Sequence, residues 1–333
     1  MEMTEIKLPQ KSQLASDYFA GNRRVLSFFD YDYREDACFE ERLEELRDTV
    51  FPREALAGVL NAFNKRYDPD EAVLDNIDKI KNPDTVVVVG GQQAGVMTGP
   101  LYTIHKCLSI LTLARQQQEK LGVPVVPVFW IAGEDHDFEE INHTYVMNRT
   151  NIRKVSVPGR APQKKSASAT KINKEELKSW IEEMIRASGE TEHTKEILRL
   201  LEESLDRSRT YVDWFCHLIM RLFGKSGLVL VDSGDENLRA VESDFFKKII
   251  AENDVLNAKV MKQADRLRHS GYEVTVDVDE NSANLFYQLN GQRVLLERDK
   301  EGNFRGKGNE CLLTESELLD VAEYSPERLS NNV

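Results

Sequence analysis

The sequence has few cysteines and no long apolar run. Its four cysteines are widely spaced and include no Cys-x-x-Cys pair, which argues against a disulfide framework or a zinc site and favours a reducing cytoplasm. The longest apolar stretch, residues 123–132, contains two prolines and is far shorter than the ~20 residues of a membrane-spanning helix. The first ten residues are polar. We therefore expect neither a secretory signal nor a membrane segment.

Positive charge is also scarce. The chain has 44 Lys and Arg against 57 Asp and Glu, a net charge of −13. Binding to a phosphate backbone needs clustered positive charge, so we expect no nucleic-acid partner. A hydrophobic content of 41% and a charged content of 30% are ordinary for a soluble globular protein. At 333 residues the chain should form two domains, or one domain with large insertions.

Three short apolar runs predict the core of an α/β fold. The first, residues 85–89, consists of β-branched residues and is typical of a strand covered on both faces of a parallel sheet. A helix should follow from Pro100 or Thr103 to about Gly122, because proline suits the first helical turn and glycine the end. The runs at 123–132 and 228–231 predict two more strands. Strand, helix and strand in this order form a βαβ unit.

The remaining segments predict helices at the N-terminus and two modules inserted into the core. The first insertion has strand-like stretches at 143–148 and 152–157, then helical ones. The second has a helix and a β-meander that begins with YEVTVDV at residue 272. We expect an N-terminal helical segment (1–83), a core in two parts (84–142 and 209–255), a mainly helical insertion (143–208), an α+β insertion (256–323) and a return to the core that is cut short (324–333).

Polar residues follow each predicted strand, where ligands bind in open parallel sheets. After the first strand, glycines would let backbone N–H groups approach a ligand, and the start of a helix favours an anion. This segment matches neither the dinucleotide fingerprint nor the phosphate loop, and a plain strand-to-helix turn is the alternative. We favour ligand contact, since paired glutamines add donors that a turn does not need. The predicted binding residues here are Gly91, Gln92, Gln93, Gly99 and Tyr102.

His105 and Lys106 lie early in the predicted helix that follows these glycines. Such a pair near phosphate-binding backbone would neutralise charge on a transferring phosphoryl group. A half-buried histidine with only a packing role is an equally good interpretation of His105. We include both residues in the predicted catalytic set.

The second strand leads into the most concentrated group of ionisable residues at any predicted strand end: Glu134, Asp135, His136 and Asp137. These side chains would bind a substrate ammonium, act as acid and base, or hold Mg²⁺ through Asp135 and Asp137. The alternative is a solvated loop that caps a helix. We place Glu134 and the nearby Asn142 in the substrate-binding set, and the other three residues in the catalytic set.

Two further groups of polar residues have weaker signals. Asp232 and Ser233 follow the third strand and would contact a ribose or an amine, although helix capping is the interpretation we favour. A basic segment would form a lid over an anionic substrate, yet a solvated surface explains such a charge run more simply. Its residues are Arg149, Arg153, Lys154, Arg160, Lys164 and Lys165.

The two central motifs resemble a known family. GGQQAGVMTGPLYTIHK (90–106) and VPVVPVFWIAGEDHDFEEIN (123–142), with SPERLSNNV (325–333), are similar to the cysteine-adding enzymes of bacillithiol biosynthesis. The resemblance implies a Rossmann-like core with inserted connecting modules. It also implies a C-terminal coiled coil through which family members form a homodimer. Family members continue well past the position of residue 333. We therefore do not expect the coiled coil or its dimer from this chain.

The family's assigned reaction is a ligase reaction. It joins L-cysteine to glucosaminyl-malate in the last step of making bacillithiol, a low-molecular-weight thiol. A wider similarity to class I aminoacyl-tRNA synthetases implies that His105 corresponds to a signature histidine, although their lysine-bearing signature is not visible.

Amide formation needs an activated carboxyl group, so we expect ATP with Mg²⁺. Phosphates would contact Gly91, Gln92, Gly99, His105 and Lys106, and the cysteine ammonium or Mg²⁺ would contact Glu134, Asp135 and Asp137. Two alternatives are a metal-dependent hydrolase that uses residues 134–137 and a non-catalytic nucleotide-binding fragment.

Overall fold

The computed structural model describes residues 12–148, 151–158, 165–276, 278–308 and 310–331. The N-terminal segment is helical, and the first parallel strands follow it. The elements up to residue 131 are α1 (Gln13–Phe19), α2 (Arg23–Leu26), α3 (Ala37–Arg47), α4 (Arg53–Asn64), α5 (Glu71–Lys79), β1 (Val86–Gln92), α6 (Tyr102–Leu121) and β2 (Val125–Ile131).

The next part of the chain contains a β-hairpin and three longer helices. Its elements are α7 (Phe138–Ile141), β3 (His143–Asn148), β4 (Asn151–Ser156), α8 (Lys174–Ser188), α9 (Thr194–Arg207) and α10 (Tyr211–Phe223). Strands β3 and β4 pair in antiparallel fashion, which confirms the two strand-like stretches predicted there. A capping box between Thr210 and Asp213 begins α10 and separates it from α9.

The last part returns to the core and then forms a second sheet. Its elements are β5 (Val229–Asp232), α11 (Glu236–Val241), α12 (Ser243–Ala251), α13 (Asn253–His269), β6 (Ser282–Leu289), β7 (Gln292–Arg298), β8 (Phe304–Gly306), β9 (Leu312–Leu313), α14 (Glu315–Tyr324) and β10 (Leu329–Asn331). Among the described residues, no helix combines the length and apolar character needed to cross a membrane.

The core sheet has three parallel strands in the order β1-β2-β5. The register aligns their carboxyl ends, because Gln92 pairs with Ile131 and Ile131 pairs with Asp232. Helix α6 connects β1 to β2 and packs against both, whereas α4 and α10 pack against β5. Phe129 and Trp214 are almost fully buried in this core. The predicted α/β fold with a parallel sheet is confirmed.

Strand β1 is less buried than its sequence predicts. Val87 and Val89 are 47% and 56% exposed, so the expectation that both faces would be covered is wrong. Helix α6 covers only one face, where a Cβ at Gly90 would lie 2.9 Å from the Ile110 side chain. The two valines alternate with Gly90 along the strand and therefore lie on the opposite face. Since β1 is an edge strand of the described sheet, no further strand beside it helps to cover these two valines.

The second sheet has five antiparallel strands in the order β10-β6-β7-β8-β9. Asn290 and Gly291, both with positive φ, form the two-residue turn between β6 and β7. The YEVTVDV segment forms no strand in its described residues, which corrects the prediction that it begins the meander. Instead β10, near the end of the chain, pairs with β6. The predicted domain boundaries stay predictions.

Candidate active site at the carboxyl ends of the parallel strands

The loops after β1 and β2 meet at one edge of the sheet. The Ala132 amide donates to the Gln92 carbonyl at 3.1 Å, which continues the strand pairing into the loops. The side-chain amide of Gln93 donates to Asp135 Oδ2 at 3.4 Å and also to the Glu140 carboxylate. The structure thus brings the first two predicted clusters together, as expected for the carboxyl ends of adjacent parallel strands.

Lys106 connects this site to α6. Its Nζ donates to the Gly91 carbonyl at 3.0 Å and to Gln92 Oε1 at 2.8 Å, and it lies 5.3 Å from the centre of the Tyr102 ring. Residues four apart share one face of a helix, so α6 directs Tyr102 and Lys106 to the same loop. The Gln92 amide in turn donates to Gln93 Oε1 at 2.6 Å. A continuous series of hydrogen bonds therefore runs from Lys106 to Asp135.

The glycines of the first loop are needed for packing of the chain itself. A Cβ at Gly91 would lie 2.4 Å from the Trp130 carbonyl oxygen, and one at Gly95 would lie 2.7 Å from the Gly99 Cα. Gly99 also has a φ of +71°, in the left-handed region that favours glycine. The predicted ligand contacts of Gly91 and Gly99 stay predictions.

His105 lies apart from the hydrogen-bonded series. Its side chain is exposed on α6 and, within the part of the chain that the structure describes, has no hydrogen-bond partner. This exposure contradicts the interpretation of His105 as a half-buried packing residue, and its phosphate-binding role stays a prediction. Lys106 is the residue of the pair that the structure places in the site.

The acidic loop both caps a helix and lines the site. Asp137 Oδ1 accepts a hydrogen bond from the Glu139 amide at 3.1 Å and caps α7, as the alternative interpretation of this loop proposed. Asp135 Oδ1 accepts from the Asp137 amide at 3.1 Å, which leaves Oδ2 for Gln93. Burial, followed by the Asp135 and Asp137 carboxylates, raises the pKa of Glu140. Sequence reasoning missed Glu140, although its motif was singled out.

Two buried atoms of the same loop have no hydrogen-bond partner among the described residues: Glu134 Oε2 and His136 Nδ1. Buried polar atoms are normally paired, so each is a candidate for contact with a ligand or water. Asn142 is different. It is buried at the base of the β3–β4 hairpin, where its carbonyl accepts from the Val157 amide at 2.7 Å, and the structure does not bring it to the other site residues.

The third cluster is joined to the second through the first insertion. Asp232 is buried and accepts hydrogen bonds from Ser168 Oγ at 2.7 Å and from the Gly234 amide at 2.9 Å. Burial raises the pKa of Asp232 to about 6. Ser233 Oγ donates to the Ile131 carbonyl at 3.0 Å and holds the ends of β2 and β5 together. Sequence reasoning missed Ser168, because no pattern in the insertion points to it.

A cleft of about 720 Å³ opens beside Asp232 and is large enough for a small ligand. It is lined by both cations and carboxylates, among them Arg66, Lys171, Arg207, Arg209, Asp213 and Asp235. The described residues of the predicted lid do not line this cleft. Arg153 and Lys154 form exposed ion pairs with Glu183 and Glu139, Lys165 is exposed, and Arg149, Arg160 and Lys164 lie outside the described residues.

The described residues of the site contain no preformed group of three metal ligands. Within the described ranges, no three His, Cys, Asp or Glu side chains are arranged to hold a metal ion. Asp135 and Asp137 each already use one carboxylate oxygen for a backbone amide. The second oxygen of each carboxylate accepts no hydrogen bond from a backbone amide of the described residues, and the contacts of Asp135 and Asp137 with Mg²⁺ stay predictions.

Comparison with known sequences now identifies the family. A sequence model of the bacillithiol biosynthesis BshC N-terminal Rossmann-like domain matches residues 1–333. The chain belongs to this family. Relatives in the BshC family include the "Putative cysteine ligase BshC" of Bacillus cereus strain Q1, 44% identical over 333 residues, and the protein of the same name from Bacillus thuringiensis strain Al Hakam, 43% identical. The family predicted from the two central motifs is confirmed.

Both alignments cover 100% of this chain and 61% of the BshC relative. The chain thus spans about three fifths of the length of the curated relatives that it matches. The Rossmann-like BshC domain includes all three polar strand ends described above.

Proposed function

We propose that this chain carries the catalytic site of a ligase that joins L-cysteine to glucosaminyl-malate to form bacillithiol. One observation carries the proposal: the hydrogen bonds from Lys106 through Gln92 and Gln93 to Asp135, at the carboxyl ends of two adjacent parallel strands. The names of the BshC relatives support the reaction class.

The chemistry requires an activated carboxyl group. We propose that the cysteine carboxylate attacks the α-phosphorus of ATP, which forms a cysteinyl adenylate and releases pyrophosphate. The glucosamine amine then attacks the carbonyl carbon, the amide forms, and AMP and a proton leave. A fixed cation favours the negative charge that develops on phosphate. Lys106 is suited to this role because two acceptors hold its ammonium group in place.

Asp135 is suited to hold the cysteine ammonium group. Its Oδ2 accepts a hydrogen bond from Gln93 on the neighbouring loop, and a carboxylate in that position is able to form charge-assisted hydrogen bonds with an amine. Glu140 adds a second carboxylate on the same side of Gln93. The metal-dependent hydrolase has no comparable support in the described residues, since they contain no set of three metal ligands.

The exchange of labelled pyrophosphate into ATP tests the activation step without the amine substrate. We expect exchange that depends on L-cysteine, and we expect bacillithiol and AMP once glucosaminyl-malate is added, as detected by mass spectrometry. Release of ADP instead of AMP would replace adenylation with phosphorylation. If this chain, given both substrates and ATP, forms no thiol product, the proposed function is wrong for it.

A further inference from the structure

A small cavity separates the acidic loop from the second sheet. Helix α11 packs against residues 326–328, which brings the second sheet next to the ends of β2 and β5. The cavity has a volume of about 60 Å³. A single water needs roughly 10–15 Å³ of such space, so the cavity admits a carboxylate group and a few waters but no nucleotide. Its charged lining residues are Glu134, Arg239, Arg293, Glu327 and Arg328.

Two of these guanidinium groups lie over aromatic rings of β6. Arg293 lies 3.9 Å from the centre of the Phe286 ring, and its Nε donates to Ser330 Oγ at 2.9 Å. Arg328 lies 4.4 Å from the centre of the Tyr287 ring. Neither forms an ion pair with any residue that the structure describes. Burial lowers the pKa of Arg293, and the nearby Glu134 and Asp135 carboxylates partly offset this effect.

Arg239 provides a contrast within the same cavity. It is buried, and its charge is paired with Glu242 at 2.7 Å. Arg293 and Arg328 are only half-buried and form no such pair among the described residues, so they are the guanidinium groups available to a ligand. Rigid guanidinium groups are suited to carboxylates, which they bind through two parallel hydrogen bonds.

The acidic loop contributes the opposite charge. Glu134 lines the cavity, and its buried Oε2 has no hydrogen-bond partner among the described residues. The cavity thus has Arg293, Arg328 and the exposed Glu327 on the side of the second sheet, and the Glu134 carboxylate on the side of the core. A ligand that satisfies both sides has a carboxylate and an amine close together in one molecule.

We propose that this cavity receives the charged groups of the amine substrate, while the sugar ring stays outside it: a malate carboxylate contacts Arg293 and Arg328, and the sugar amine contacts Glu134. The proposal rests on the proposed function, since glucosaminyl-malate is the substrate assumed there. In this substrate the amino group is on the sugar carbon next to the one that bears malate, so amine and carboxylate lie within one small volume. Cysteine also has both groups, and the experiment must separate the two sources.

Titration calorimetry of this chain with glucosaminyl-malate, L-malate and L-cysteine tests the assignment. We expect Arg328→Gln to weaken the binding of glucosaminyl-malate and of malate at least tenfold. We expect Glu134→Gln to weaken glucosaminyl-malate binding but not malate binding, because malate has no amine. Arg305→Gln is the matched control, since Arg305 is an exposed arginine on β8 of the same sheet. Circular dichroism checks that each variant is folded, and Arg328→Lys serves if the glutamine variant is not.

Each outcome decides the proposal. Undiminished malate binding in the Arg328 variant, or no malate binding by the wild-type chain, overturns it. Loss of cysteine binding in place of malate binding assigns the cavity to cysteine and also overturns it. Cysteine-dependent pyrophosphate exchange tests the proposed function separately. If exchange is absent but malate binding changes as expected, the carboxylate subsite is supported and only the ligase assignment is wrong.

Discussion

Ser168 Oγ donates a 2.7 Å hydrogen bond to Asp232 Oδ2 and so joins the first insertion to the end of β5. Two backbone contacts reinforce this junction. The Ser168 amide donates to the Gly133 carbonyl at 2.9 Å, and the Ala167 amide donates to the Asp135 carbonyl at 2.8 Å. Residues 167–168 therefore hold the acidic loop in place at the edge of the core sheet. The insertion is part of the site rather than an appendage to it.

The first prediction concerns Asp232 and pH. Its pKa is about 6 in the folded protein against an ordinary value of 3.8, so the unfolded chain loses this proton first as pH rises. The contribution of Asp232 to stability is therefore greatest below pH 3.8 and falls until about pH 6. Asp232→Asn removes this dependence. Between pH 4.5 and 7.5, the variant should gain about 2 kcal/mol of unfolding free energy relative to wild type.

Urea unfolding of both proteins at the two pH values measures this difference. The wild-type protein is the reference for the variant, because the two proteins share every other titrating group. A stability difference between variant and wild type that stays constant across this range would show that Asp232 ionises normally.

The second prediction concerns Gly91. A Cβ there would lie 2.4 Å from the Trp130 carbonyl oxygen, which is backbone and cannot easily move. We expect Gly91→Ala to lower the unfolding free energy by about 1–3 kcal/mol. Gly58→Ala is the matched control, because Gly58 lies within α4 and its Cβ would meet nothing within 4 Å. That substitution should stabilise the protein by about 0.5–1 kcal/mol. Thermal unfolding that shows the same sign for both variants would refute the packing argument.

The third prediction concerns Asn64. This buried side chain acts as a strand partner for β5: its Nδ2 donates to the Leu230 carbonyl at 2.8 Å, and its Oδ1 accepts from the Leu230 amide at 3.0 Å. Asn64→Ala leaves both backbone groups buried and unpaired, at a cost of about 1–3 kcal/mol for each. Asn61→Ala, on the same helix but only half-buried, should change the unfolding free energy by less than about 1 kcal/mol. Equal losses in the two variants would contradict the proposed role.

The core strands can be predicted from the sequence because the pattern that identifies each strand lies within its own residues. Runs of β-branched residues that end in glycine or acidic residues identify β1, β2 and β5, and parallel pairing then places Gln93 near Asp135. The exposure of Val87 is not predictable in this way, because it depends on which elements lie beside β1. The local pattern also favours a strand that begins at residue 272, but the described residues of that segment pair with no other strand.

The missed site residues have a common cause. Ser168 and Arg293 come from the predicted insertions and Arg328 from the last segment of the chain, all distant in sequence from the strand ends that they reach. A single serine or arginine on a strand or turn carries no signal until the fold positions it. Glu140 was closer to recognition: once Asp137 is taken as the cap of α7, the first turn of that helix directs Glu140 back toward Gln93.

The most direct test of the central claim is cysteine-dependent pyrophosphate exchange in a Lys106→Met variant. Lys120→Met is the matched control, since Lys120 lies at the far end of the same helix in an exposed ion pair with Asp36. If the site at the carboxyl ends of β1 and β2 activates cysteine, exchange in the Lys106 variant should fall by about 100-fold or more, which is the loss expected when one charge-stabilising group is removed. Exchange in the control should stay at the wild-type rate. Wild-type exchange in the Lys106→Met protein would contradict the account.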